Sequence, residues 1–148
     1  MQIKDTHDFT PGQLQDLFLS VEWSSGHFPD KLAVAMRNFK TVFSAWDGDK
    51  LIGMICAMDD GVMNAYVHYL LVHPEYQGKG VGQQLVERMK AQYKDYLRIV
   101  VVSGLLRALR IQPRHRCKPD VHHRIVDLSA QKRSIRSSVN HFYVHLGT

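Results

Sequence analysis

Cysteine is nearly missing: Cys56 and Cys117 are the only two in 148 residues, far apart and without CxxC spacing. That scarcity excludes a disulfide framework, and both are read as free thiols with no redox role. Long apolar runs are missing too, none approaching the roughly 18 residues that a membrane-spanning helix needs. Asp5 and Asp8 interrupt any basic-then-apolar order at the N-terminus. The expectation is a soluble, cytoplasmic protein with no membrane partner. Internal repeats and low-complexity segments are absent.

Acidic residues are scarce in one region only. Residues 1–102 carry 10 Lys or Arg against 12 Asp or Glu, a net −2, whereas residues 103–148 carry 9 against 2, a net +7. Arginine replaces lysine as the main cation after Val102, five of the nine histidines lie there, and apolar periodicity stops at the same point. The chain, 45% apolar, is long enough for one core and too short for two. It reads as a domain over 1–102 followed by a basic tail over 103–148.

Thr10-Pro11 followed by Gln13 signals a helix start, and Leu14, Leu17, Phe18 and Val21 continue it at helical spacing. Pro29 opens a second helix with Leu32, Ala35, Met36 and Phe39 on one side. Three strand signals follow, Thr41 to Trp46, Lys50 to Ala57 and Ala65 to Val72, separated by Asp-Gly turns, as in an antiparallel meander. A helix over about 80–93 presents Val81, Leu85, Met89 and Tyr93. The β-branched run Leu97 to Val102 then predicts a strand parallel to the one before that helix.

The stretch from Leu70 to Gly82 reads LLVHPEYQGKGVG. Gly78, Gly80 and Gly82 permit positive φ and close approach of a ligand where a helix begins, and there the unpaired N–H groups and the positive dipole end suit a pyrophosphate. The spacing is neither the Walker A loop nor the GxGxxG turn of dinucleotide folds. Gln77, Gly80 and Gly82 match the pattern Q/R-x-x-G-x-G/A, with an L-x-V-x-P lead-in at Leu70, Val72 and Pro74. Over about 20–102 the sequence thereby resembles the GNAT superfamily of N-acetyltransferases.

The resemblance implies an α/β fold: a mixed, mostly antiparallel sheet with flanking helices, its C-terminal part missing or replaced in this chain. It implies acetyl-CoA as co-substrate. The pyrophosphate is expected on backbone N–H groups of Gly78, Lys79, Gly80, Val81, Gly82 and Gln83, beside Gln77. The pantetheine arm is expected along Leu71 and Val72, where their strand splays from the next. The implied activity is transfer of the acetyl group to a primary amine, of a small molecule, by direct attack on the thioester. A homodimer is left open.

That chemistry needs a neutral amine, and alkylamines with pKa near ~10 must first lose a proton. His68, with an ordinary pKa near ~6.5, is the candidate base, at a position resembling the water-linked histidine of the arylalkylamine branch of the family. The alternative, a histidine that only fills the sheet face, stays open. A strand N–H of Leu71 or Val72 is the candidate oxyanion donor. Glu22 and Trp23 are candidates to line the acceptor pocket, with core packing the preferred reading for Trp23. Asp59 and Asp60 are candidates to attract a cationic amine, with an ordinary solvated turn the preferred reading.

A different class of function is nucleic-acid binding through the basic tail, which has the charge but no reading motif and few aromatics beyond Phe142 and Tyr143. It is kept as the second reading. His115, Cys117, His122 and His123 are metal-donor types, but H-x-C-x4-H-H fits no common zinc module, so no metal is expected.

Members of the family usually continue with A-x-x-F-Y-x-x-x-G-F, whose tyrosine often protonates the thiolate. No in-frame segment here matches it in full. No general acid is assigned, and the chain is expected to be catalytically impaired. Read one nucleotide later, codons for Gly104 to Leu128 permit FYERCGFNPGTGVNPMFITELWT, which contains the missing segment. Leu128 as TTA before Ser129 as AGC then leaves a stop, TAA. The tail from about Gly104 is accordingly expected to be an out-of-frame translation, poorly ordered, that leaves Val100 to Val102 incompletely covered.

Overall fold

The computed structural model describes residues 1–102 and 125–127. Among them six strands form one sheet in sequence order: β1 (Gln2–Asp5), β2 (Thr41–Asp47), β3 (Lys50–Asp59), β4 (Asn64–Val72), β5 (Arg98–Val102) and β6 (Ile125–Asp127). Every neighbouring pair is antiparallel except β4 with β5. The helices are α1 (Pro11–Ser20), α2 (Pro29–Asn38) and α3 (Val81–Gln92). The mixed, mostly antiparallel sheet and the β4–α3–β5 crossover agree with the sequence reading.

Helix α1 starts where its cap chemistry directs. The Thr10 hydroxyl accepts the Gln13 N–H at 3.3 Å, the Gln13 side chain accepts the Thr10 N–H at 3.0 Å, and Pro11 takes the first helical position. At the other end Trp23 N–H donates to Phe18 C=O at 2.9 Å and Glu22 N–H to Leu19 C=O at 3.0 Å. This is a Schellman closure with Glu22 at φ 56°, the position that glycine usually holds.

The sheet is covered on both faces. Leu14, Leu17 and Phe18 of α1 and Leu32, Ala33 and Met36 of α2 pack on Val42, Met54, Cys56, Tyr69 and Leu71. Val81, Leu85, Val86 and Met89 of α3, with Tyr93, pack on Ile55, Ala57, Ala65, Val67, Ile99 and Val101 of the opposite face. Each such leucine or methionine contributes on the order of 1.5–3 kcal/mol by leaving water. The half-polar run of α3 closes the core only because its apolar positions recur at helical spacing. Among the described residues no helix is long and apolar enough to cross a membrane.

Three features depart from the sequence reading. Strand β1 was not anticipated: Gln-Ile-Lys-Asp has little strand propensity, and it forms through its pairing with Phe43 to Trp46. The edge at Val100 to Val102 has a neighbour, since these residues pair with Asp127, Val126 and Ile125. Strand β4 carries one extra residue, because Cys56 faces Tyr69 while Ala57 faces Val67. The extra residue is His68, and this bulge reverses the facing of the strand. Ala65 and Val67 pack under α3, whereas Tyr69 and Leu71 pack under α1 and α2.

Candidate cofactor cleft

Strands β4 and β5 are paired only from Asn64 with Arg98 to Val67 with Val101. Beyond the His68 bulge, β4 follows β3 alone to Val72, while β6 pairs with the other edge of β5. The splay that the sequence reading placed at Leu71 and Val72 thus opens at His68.

Which N–H groups face the opening follows from the ladder. His73 N–H donates to Ile52 C=O at 2.9 Å, and alternation along an antiparallel pair then turns the polar groups of Leu71 toward β3 and those of Leu70 and Val72 away from it. Two contacts agree. The Leu71 carbonyl would lie 3.0 Å from a Cβ built on Gly53 of β3, and the Val72 carbonyl accepts Gln77 Nε2 at 3.0 Å from the open side. Leu71 is therefore corrected to Leu70 as the partner of Val72 in facing the cleft. Period-2 alternation without the ladder's phase could not separate them.

The strand passes through a single turn, Pro74–Tyr76, into the glycines. Gly78 has φ 75° and Gly80, the N-cap of α3, φ 81°, a region that side chains disfavour. No side chain caps α3, and its first internal bond is Gln84 N–H to Gly80 C=O at 3.1 Å. The N–H groups of Val81, Gly82 and Gln83 precede that bond and lie at the positive end of the helix. A Cβ on Gly82 would sit 3.5 Å from Val72 Cγ2, ordinary contact, which fits a pattern accepting glycine or alanine there. Gly53, which the sequence reading passed over, brings α3 close: a Cβ there would meet Val81 Cγ1 at 3.1 Å.

On the α1–α2 side the bulge places His68, half-buried, against Phe39 (6.0 Å between ring centroids) and Tyr69 (4.3 Å). Burial pushes the His68 pKa down, so the imidazole is neutral at neutral pH. Tyr69 meets Trp23 edge-on at 5.4 Å, and its hydroxyl lies 3.5 Å from Ser25 Oγ. His68, Tyr69 and Trp23 thereby come together, and Glu22, next to Trp23 in the chain, is exposed. Trp23 both packs on the core and borders this group.

Asp59 and Asp60 are not part of it. They sit at the β3–β4 turn, by the end of β4 that is paired to β5. Asp60 Oδ1 accepts the N–H groups of Val62, Met63 and Asn64 at 2.7–3.0 Å, and these bonds hold its carboxyl well below the usual range. Asp59 accepts Gly61 N–H at 2.8 Å and Tyr93 Oη at 2.7 Å. Both carboxylates are thus engaged by turn and side-chain donors at the end of β4 opposite the splay. Cys56 is buried, and burial pushes its thiol pKa up. His115, Cys117, His122, His123, Phe142 and Tyr143 lie outside the described residues.

A splayed strand pair beside an uncapped helix N-terminus and a turn of glycines defines an α/β protein with an opening able to receive an extended, phosphate-bearing molecule. A sequence model described as the acetyltransferase (GNAT) family matches residues 9–116, and the chain belongs to that family, whose co-substrate is acetyl-CoA. The match is wider at both ends than the resemblance over about 20–102.

The chain is 52% identical over 40 residues to the chloroplastic GCN5-related N-acetyltransferase 2 of Arabidopsis thaliana, covering 27% of this chain and 16% of that one. It is 37% identical over 46 residues to the L-amino acid N-acyltransferase MnaT of Escherichia coli (strain K12), covering 31% and 27%. It thus spans under a third of either relative. Among solved structures, a GNAT family acetyltransferase from Streptococcus pneumoniae TIGR4 superposes with TM-score 0.63 at 23% identity, covering 76% of this chain and 87% of that one. An aminoglycoside 6'-N-acetyltransferase complexed with coenzyme A does so with TM-score 0.58 at 21% identity, covering 69% and 61%. These two likenesses establish the fold.

Proposed function

We propose that this chain binds acetyl-CoA in the β4–β5 opening and directs its acetyl group to a primary amine of a small molecule. One observation carries the reading: the strand edge with outward N–H groups at Leu70 and Val72 leads within one turn to the uncapped N-terminus of α3. The pyrophosphate is assigned to the N–H groups of residues 78–83, with Gln77 tying the turn to Val72. The pantetheine arm runs along Leu70 and Val72, whose N–H groups are also the donors available to an oxyanion.

Acetyl-CoA supplies the thioester carbonyl that the amine attacks. The amine arrives as an ammonium and loses a proton before its lone pair can form the new C–N bond. His68, neutral through burial, accepts that proton directly or through water. The C–S bond then breaks, and the thiolate takes up a proton. The aromatic side chains Trp23 and Tyr69 border the acceptor side, with Glu22 supplying a carboxylate for a cation. An amine acceptor accords with the named activities of the aminoglycoside and L-amino acid relatives. In frame, Phe142, Tyr143 and Gly147 keep the spacing F-Y-x-x-x-G, but Thr148 stands where the pattern has its final phenylalanine, and we infer that turnover is weak relative to binding.

Calorimetric titration with CoA tests the reading. Wild-type protein and His68→Ala should bind, whereas Gly80→Glu, which puts bulk and a carboxylate where φ is positive and a phosphate is expected, should lose about tenfold or more in affinity. Wild-type protein that ignores CoA, or Gly80→Glu that binds as wild type does, would refute it.

A further inference from the structure

Tyr76 ends the short turn between β4 and the glycines. Its hydroxyl donates to Asp47 Oδ2 at 2.8 Å, and Lys79 Nζ lies 5.0 Å from the centroid of its ring. Asp47 is the last residue of β2, so this bond crosses from the β2–β3 hairpin to the turn. Lys50, at the start of β3, adds a second crossing, Nζ to Glu75 Oε2 at 3.0 Å, and His73 Nδ1 accepts the Glu75 N–H at 3.3 Å. The bond to Asp47 raises the Tyr76 pKa, which keeps the hydroxyl in its donor form at neutral pH.

The two lysines around this ring differ. Lys50 is engaged by Glu75, whereas among the described residues Lys79 makes no ion pair. Lys79 lies one residue before the N-cap of α3, over an aromatic face that attracts cations. A lysine stem loses rotamer freedom when it meets an anion, and a ring that already confines the ammonium reduces that loss on binding.

Resting on the acetyl-CoA reading, we propose that Asp47 and Tyr76 are positioning residues for the co-substrate: Asp47 fixes the Tyr76 ring, and the ring holds the Lys79 ammonium at the cradle to meet a phosphate of CoA. The backbone N–H groups then supply fixed dipoles and Lys79 a fixed charge. The β2–β3 hairpin, remote in sequence from the glycines, becomes part of the binding apparatus.

The test is CoA affinity by calorimetry at low and high salt, with thermal unfolding as a parallel measurement. Lys79→Gln and Tyr76→Leu should each weaken CoA about threefold to tenfold and flatten the salt dependence, and the double variant should be little worse than either single one. Tyr76→Phe and Asp47→Asn, which keep the ring and lose only its anchor, should weaken CoA about twofold to threefold. Lys79→Arg should retain wild-type affinity. A purely structural role would lower the unfolding temperature and leave CoA affinity and its salt dependence unmoved. That result, or simple additivity in the double variant, overturns the proposal. If Tyr76→Leu fails to fold, Tyr76→Phe and Asp47→Asn decide alone, and unchanged affinity in both overturns it. Loss of CoA binding by the wild-type chain would instead overturn the acetyl-CoA reading itself.

Discussion

The Tyr93 hydroxyl donates to Asp59 Oδ2 at 2.7 Å while lying 2.8 Å from Thr41 Oγ1, so the residue that caps the C-terminus of α3 is tied both to β2 and to the β3–β4 turn. Tyr93 is buried, and burial foremost pushes its pKa up, keeping the phenol protonated. Removing the hydroxyl leaves Asp59 and Thr41 short of a partner. Tyr93→Phe should cost roughly 1–3 kcal/mol by denaturant unfolding and leave CoA affinity unchanged. Asp59→Asn should likewise spare the KM for the amine. A raised KM would return Asp59 to the acceptor site.

Glu22 supplies a second prediction through its backbone. At φ 56° a side chain costs roughly 1–2 kcal/mol relative to glycine, partly offset by the greater freedom of glycine in the unfolded chain. Glu22→Gly should therefore stabilise the fold by about 1 kcal/mol. Since the same residue is proposed to meet the acceptor, the variant should also show a higher KM for the amine at unchanged CoA affinity. Stabilisation with an unaltered KM would leave Glu22 a strained helix terminus and nothing more.

The pH dependence of His68 has a definite sign. Burial lowers its pKa below the unfolded value of about 6.5, so the unfolded chain binds more protons between those two values. Stability contributed there is complete above about pH 6.5 and declines on acidification toward the folded pKa. Thermal midpoints recorded from neutral to acid pH should fall, and less steeply in His68→Gln. Acetyl transfer should lose rate over an acid limb set by the same group. Persistence of that limb in His68→Gln would show that another base acts.

We further propose that residues from about Gly104 arise from a shifted reading frame. The coding DNA, read one nucleotide later, should encode Phe-Tyr, then Gly-Phe, and a stop where Leu128 meets Ser129. If it does, a chain restored to that frame should acetylate amines faster than this one. Absence of those codons would make the tail a genuine basic extension, and a salt titration of its nucleic-acid affinity becomes the relevant measurement.

Much of the architecture was legible because it rests on local chemistry. Thr10, Pro11 and Gln13 specify a helix start through bonds among themselves, and Val81, Leu85 and Met89 specify a buried helix face through spacing alone. Gly78 and Gly80 announce positive φ because side chains oppose it. Other features depend on partners distant in the chain. The extra residue at His68 is defined only against Cys56 and Ala57, and with it the choice of Leu70 over Leu71. Strand β1 exists because β2 offers it an edge, and Asp59 faces Tyr93 because α3 returns across the sheet. The sequence by itself determined the family pattern, the helices and the glycine turn, since each is a property of a few neighbouring residues. Only the tertiary structure decided which strand N–H groups turn away from β3, that Asp59 meets Tyr93, and that Asp47 reaches Tyr76, because these depend on register and packing between segments.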